Sequence, residues 1–235
     1  MTITAPRGTQ DFLPEQTGDW QNLEAKIWDV CSLYGCGEIR TPVFESTELF
    51  LRGIGETTDV VTKEMYTFED HGGRSMTLRP ENTASVVRSF LEHKLYGDGE
   101  IHKFYYMGPM FRHDRPQAGR YRQFNQFGVE EIGSQDPAVD AEIIALALQL
   151  FRELGLHDLV LHLNSVGCPA CRPVYRRKLL EFFADKRAGL CEDCQSRLDR
   201  NPLRVLDCKE DGARMLSAGV PLITDYLCAE CESHF

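Results

Sequence analysis

Nowhere in this chain does an apolar run approach the roughly 20 residues that a helix needs to cross a bilayer. The opening residues, MTITAPRGTQDF, also lack the apolar core of a secretory leader. These two absences argue against membrane insertion and export and lead to the expectation of a cytoplasmic protein. Positive charge is in short supply as well: 26 Lys and Arg stand against 36 Asp and Glu, a net charge of −10. A broad basic surface for nonspecific nucleic-acid binding is therefore missing, and any nucleic acid must meet local basic patches. The rest of the composition is that of a soluble globular chain, and 235 residues suffice for one large domain, or a domain with an insertion, around a sizeable core.

Cysteine, by contrast, is plentiful. Nine cysteines without an export signal point to metal binding or reduced thiols rather than to a disulfide framework. Cys31 and Cys36 lie near the start, and the other seven fall between Cys168 and Cys231. Cys168-Pro-Ala-Cys171 and Cys191-Glu-Asp-Cys194 flank residues 172–190, a spacing that fits a structural four-thiolate zinc site. The expected ligands are Cys168, Cys171, Cys191 and Cys194. Cys228-Ala-Glu-Cys231 is a third pair that could replace one of these, Cys208 needs its own explanation, and reduced, partly buried thiols are the plainer reading. From Ala170 to Glu210, ten Lys or Arg outnumber seven Asp or Glu, so this segment is locally positive.

The stretch Ile101 to Gly133 reads as two strands around a loop, with aromatic and β-branched residues in both arms and Asp114, Pro116 and Gly119 between them. The loop holds four arginines, Arg112, Arg115, Arg120 and Arg122, against Asp114 alone. That much like charge suits a site for phosphates, although a solvated hairpin would look similar. A period of two places Gln126, Gly128 and Glu130 on one face of the second arm, with room for a ligand expected over Gly128.

Upstream, a helix is expected from Asp19, carrying Trp20, Leu23, Ile27, Val30, Cys31 and Tyr34 on one side and stopped by Gly35 and Gly37. EIRTPVFE follows as an edge or interface strand because of Pro42. Met65 to Phe68 and Ser75 to Arg79 should form a hairpin, after which Asn82 or Thr83 caps a helix. Glu81 at that junction can face a pocket or simply favour the helix dipole. Asp136-Pro137 begins another helix ending at Gly155, and Leu159 to Asn164 reads as a short strand that includes His162.

The run FRHDRPQAGRYRQFNQ closely resembles the motif 2 strand-loop-strand of class II aminoacyl-tRNA synthetases, specifically the histidyl-tRNA synthetase family. APRGTQDFLP resembles that family's N-terminal signature, and the helix, strand and Pro42 resemble motif 1. The resemblance implies an α+β fold: an antiparallel sheet flanked by helices in residues 1–166, and a mainly helical cysteine-rich insertion in residues 167–235. It implies histidine, ATP with Mg2+ and tRNA(His) as substrates, and a homodimer through the motif 1 region. By match to the family, Arg112 would be the catalytic contact to the α-phosphate and the histidine carboxylate. Glu81, Asn82, Thr83, Gln126 and Glu130 would line the amino-acid pocket, and Arg120 and Arg122 would meet the nucleotide or the acceptor end. Motif 3, the RGLDYY-like histidine motif and an anticodon-binding domain do not occur in the sequence, so the resemblance implies a fragment. Two alternatives are a histidine-binding regulatory paralogue that serves ATP phosphoribosyltransferase, and a zinc-stapled RNA-binding module.

Overall fold

The computed structural model describes residues 2–55, 58, 60–97 and 99–235. It divides into two compact units, Met1–Leu159 and Val160–Phe235. The first unit is α+β. Helix α1, Pro14–Leu33, starts five residues earlier than Asp19, because Pro14 at the first helical position forfeits no hydrogen bond and arrives with helical φ. Its end is as expected: Gly35 turns the chain at φ +72° beyond Tyr34. The expected strand EIRTPVFE is broken in two. Strand β1, Gly37–Glu38, and strand β2, Phe44–Ser46, belong to different sheets, and Pro42, with no N–H to donate, lies between them.

Helix α2, Thr47–Ile54, leads to the hairpin of β3, Tyr66–Glu69, and β4, Ser75–Leu78, which with β2 make one small sheet in the order β2-β4-β3. Helix α3, Thr83–Glu92, follows. Strands β5, His102–Phe111, and β6, Gln123–Ile132, then pair antiparallel over their whole length, and β1 runs parallel to β5 at the edge. Helix α4, Pro137–Glu153, has Asp136 accepting from Ala138 N at 2.9 Å and Gly155 beyond its end, as the sequence indicates.

The two faces of the β5–β6 ribbon have different work. Tyr105 lies on one face with Ile27, Val30 and Cys31 of α1 and Leu146 and Leu150 of α4, and Met107, Phe127 and Val129 pack beside them. Burial there also pushes the Cys31 thiol up to about 12. Tyr106 and Met110 lie on the opposite face, buried with Val86 of α3. Full burial of side chains of this size is worth ~1.5–3 kcal/mol each, so α3 is fixed against the face that also carries Gln126 and Glu130. Alternation thus separates a structural face from a face open to chemistry.

Residues 159–164 form no strand. Their β-rich composition finds no strand to pair with among the described residues, and Val160 is 78% exposed. The second unit is helical: α5, Cys171–Phe183, then α6, Glu192–Arg197, α7, Gly212–Ser217, and α8, Ala229–His234. Tyr175, Leu179 and Phe183 recur every fourth residue of α5 and pack on Leu190, Leu198, Val205 and Met215 to form this unit's own core.

Candidate functional site

The site is built at the junction of β4 and α3, where a buried arginine holds three segments together. Arg79 Nε donates to Pro109 O at 3.0 Å, and its Nη1 donates to Thr41 O at 2.9 Å. Its Nη2 would lie 2.7 Å from a Cβ at Gly108, so glycine there admits the guanidinium. The same arginine donates to Asn82 Oδ1, which also accepts from Thr41 Oγ1 at 2.7 Å. Asn82 is 1% exposed. It is therefore spent on this clamp, and the structure does not bring it to the pocket with its neighbours.

Glu81 caps α3, and Asn82, at the N-cap position, makes no side-chain cap bond. The Glu81 carboxylate accepts from Thr83 N at 2.7 Å and Ala84 N at 3.1 Å, which satisfies two of the helix's first amides and places a negative charge at its positive end. Thr83 Oγ1 in turn donates to Glu130 Oε1 on β6 at 2.6 Å, so Glu81, Thr83 and Glu130 converge. Burial pushes the Glu130 carboxyl above its ordinary value and the nearby Glu81 charge adds to this, against the lowering effect of the Thr83 hydroxyl. On the same face Gln126 Oε1 is buried without a hydrogen-bond partner, an amide oxygen free to accept from a ligand. Glu81 and Thr83 also border an open, mainly apolar cavity of about 1040 Å³ along α2 and α3, walled by Leu49, Val87 and Leu91 among others.

The expected space over Gly128 is filled. Tyr106, directly opposite in the register, lays its ring across the glycine, and a Cβ there would lie 2.3 Å from the ring. Tyr106 is 5% exposed, its hydroxyl lies 3.5 Å from Glu130 Oε1, and burial pushes its pKa up to about 12. It is a neutral donor beside a carboxylate. The ligand face is thereby narrowed to the ends of the row, Gln126 and Glu130.

At the loop end, Arg112 Nε donates to Pro80 O at 2.9 Å and the guanidinium carbon sits 5.3 Å from the centre of the Phe124 ring. This orients the plane and leaves the two terminal nitrogens for an anion. Arg112 lines a cavity of about 280 Å³ with Asp114, Arg120, Tyr121, Phe124 and Asn125. Arg120 pairs with Asp114 at 2.6 Å. Arg122 is placed differently: its N donates to Gly8 O at 2.7 Å, its Nε donates to Asp114 O at 3.2 Å, and its chain packs against Gly8, where a Cβ would meet Arg122 Cγ at 2.8 Å. The structure thus brings Arg112 and Arg120 to one cavity and uses Arg122 to fasten the loop to the N-terminal segment.

Sequence reasoning missed Arg79 and Tyr106. Arg79 gives no signal, since a single arginine after a strand has no pattern. Tyr106 was open to discovery, because equal arms around the loop put a large aromatic opposite Gly128.

The cysteines also group differently from expectation. Cys168, Cys171, Cys191 and Cys194 are not brought to one centre. Cys168 and Cys171 meet Cys228 and Cys231, while Cys191 and Cys194 meet Cys208 and Asp211, with all ligand atoms in each group within 4.8 Å of one another. The reason lies in chain path: Cys191 caps α6 beside the 208–211 turn, and the chain returns to the start of α5 only at Cys228.

The profile of the family described as Histidyl-tRNA synthetase matches residues 8–171. A histidine--tRNA ligase from Desulforudis audaxviator (strain MP104C) is 60% identical over all 235 residues, and that of Pelotomaculum thermopropionicum (strain DSM 13744 / JCM 10971 / SI) is 58% identical. The chain spans 56% and 55% of their lengths, respectively. The apo S. aureus histidyl-tRNA synthetase crystal structure matches with a TM-score of 0.77 at 43% identity, covering all of this chain and 53% of that one. A Bacillus halodurans protein titled ATP phosphoribosyltransferase regulatory subunit/histidyl-tRNA synthetase shares the fold, with a TM-score of 0.62 at 21% identity over 92% of this chain and 62% of that one.

Proposed function

Since the chain belongs to the histidyl-tRNA synthetase family, we propose that Met1–Leu159 builds the histidine and α-phosphate side of an enzyme that activates histidine with ATP and passes it to tRNA(His). The observation that carries this reading is the convergence of Glu81, Thr83 and Glu130, with the unpartnered Gln126 Oε1 on the same face of β6. Two carboxylates bridged by a threonine hydroxyl form an acceptor-rich cluster, which suits the ammonium group of a free amino acid, and Gln126, further along β6, would face its carboxylate side. Arg112, a short way along the same ribbon, supplies the opposite charge, for the carboxylate and the α-phosphate.

In the first step a histidine carboxylate oxygen attacks the α-phosphorus of ATP, which arrives with Mg2+ on its phosphates, and pyrophosphate leaves. Negative charge grows on the α-phosphate oxygens as the new bond forms, and the fixed Arg112 nitrogens stabilise it without reorganising. In the second step a hydroxyl of the terminal tRNA ribose attacks the adenylate carbonyl and AMP leaves. No side chain becomes covalently attached, so the protein's share is positioning and electrostatics. Arg120 and the locally basic 170–210 segment are the candidates for nucleotide and acceptor-end contacts. Dimerisation through the motif 1 region and a cytoplasmic location complete the proposal. A purely regulatory role would leave the arginine-lined loop cavity without a ligand, which favours the synthetase reading.

The test is thermal stabilisation of this chain by a non-hydrolysable histidyl-adenylate analogue, with other aminoacyl analogues as controls. Selective stabilisation by the histidyl compound is expected. Equal shifts with all analogues, or none in a chain that melts cooperatively, would count against the pocket assigned here.

A further inference from the structure

We propose that Val160–Phe235 binds two mononuclear zinc ions, one on Cys168, Cys171, Cys228 and Cys231, the other on Cys191, Cys194, Cys208 and Asp211. None of these cysteines is in a disulfide. The sulfurs of Cys168 and Cys171 are 3.6 Å apart, those of Cys168 and Cys228 3.8 Å, and those of Cys191 and Cys208 3.8 Å. A disulfide would need about 2.05 Å. Four sulfurs each about 2.3 Å from a central zinc form a tetrahedron with edges of about 3.8 Å. Donor atoms all within 4.8 Å of one another enclose one ion and leave no room for an iron–sulfur cluster.

The surroundings of each group suit thiolates. At the first, Ala170 N donates to Cys168 Sγ at 3.4 Å and Cys228 N donates to Cys171 Sγ at 3.0 Å, so backbone dipoles meet the charge the sulfurs would carry. Gly167, at φ +62°, lets the chain cross the pair, since a Cβ there would lie 2.8 Å from Cys171 Cβ. At the second, Cys194 N donates to Cys191 Sγ at 3.4 Å. Asp211 is 3% exposed, with one oxygen accepting from Cys191 N at 2.9 Å and the other from the Arg214 guanidinium. Those two partners hold the carboxylate in place beside three thiols, where its remaining lone pairs suit a fourth donor to a dication.

Each centre would join distant pieces of a unit whose later helices are short. The first ties the start of α5 to the start of α8, and the second ties α6 to the turn before α7. Isolated helices of this length do not hold in water, so the metals supply constraint where the core is small. Four protein donors leave no open position, which makes both centres structural.

The test is elemental analysis of the purified full chain, with native mass spectrometry. About two zinc per chain are expected, falling to about one in Cys228→Ser/Cys231→Ser and to about one in Cys191→Ser/Cys208→Ser. Loss of all zinc in both variants would overturn two separate centres in favour of one shared centre, and less than one zinc in the unmodified chain, or iron in its place, would overturn the assignment. Where a variant fails to fold, cobalt(II) titration of the unmodified apo chain decides: tetrahedral, thiolate-rich spectra should saturate at two equivalents, and saturation at one would overturn the proposal.

Discussion

Arg112 makes a prediction that a merely structural arginine would not. Its Nε is tied to Pro80 O and its plane rests on Phe124, so replacing it removes a charge already held in place rather than a floppy one. In a full-length enzyme carrying this half, Arg112→Ala should lower adenylate formation by at least ~100-fold in pyrophosphate exchange, the scale of losing one preorganised contact. A change below tenfold would remove Arg112 from that role. Glu130 offers a second test through pH. Its carboxyl is raised in the folded protein, first by burial and then by Glu81, so the folded state binds this proton more tightly than the unfolded chain. Its ionised form is therefore a cost at neutral pH, and stability is regained as pH falls through the raised value. Glu130→Gln keeps an acceptor for Thr83 and cannot ionise. The variant should melt above the parent at pH 7, and the gap should close as pH approaches the ordinary carboxylate range. A gap that stays constant with pH would show that Glu130 does not titrate as described.

At the scale of elements, the β5–β6 ribbon was the most legible part of the chain. Aromatic arms and a loop with Asp114, Pro116 and Gly119 leave one way to pair, and the alternation correctly put Gln126, Gly128 and Glu130 on one face. What alternation cannot give is how far a side chain on the neighbouring strand leans, and so the space above Gly128 went to Tyr106 instead of a ligand. Similar reasons account for the other misses. Pro42 signals an interruption without saying that the halves join different sheets, residues 159–164 have strand composition and no strand to pair with among the described residues, and C-x2-C spacing does not say which pairs meet. Asn82 was placed in the pocket by match to the family, whereas in the structure its side chain is held by Arg79 and Thr41, which no local pattern connects. The Tyr106–Gly128 contact is itself testable. Gly128→Ala forces a methyl into the ring and should destabilise the Met1–Leu159 unit by about 1–3 kcal/mol in urea melts, the usual cost of overpacking. Adding Tyr106→Leu should recover part of the loss, since the three atoms nearest the added methyl all belong to that side chain. Equal loss in the double variant would place the cost in the backbone of β6 instead.

For the whole molecule, the chain carries separate cores. The clusters around Tyr105 and Tyr106 lie wholly in Met1–Leu159, and the cluster around Leu179 and Phe183 lies wholly in Val160–Phe235. Separate cores predict two calorimetric transitions rather than one. The two proposals for this protein then act on different transitions. A histidyl-adenylate analogue should raise only the transition of Met1–Leu159, because ligand binding stabilises the unit that holds the site. Removing metal with a chelator should abolish cooperative melting of Val160–Phe235, since binding energy of the order of 10 kcal/mol for a structural zinc exceeds what a unit of that size holds in reserve. The other transition should move by no more than about 2 °C, the shift expected of roughly 1 kcal/mol or less in a unit of that size. Amide exchange read along the chain would assign each transition to its residues. A single transition that responds to both treatments would show one cooperative body, and it would make any effect of the thiol-rich unit on the proposed histidine pocket a matter of stability shared between them.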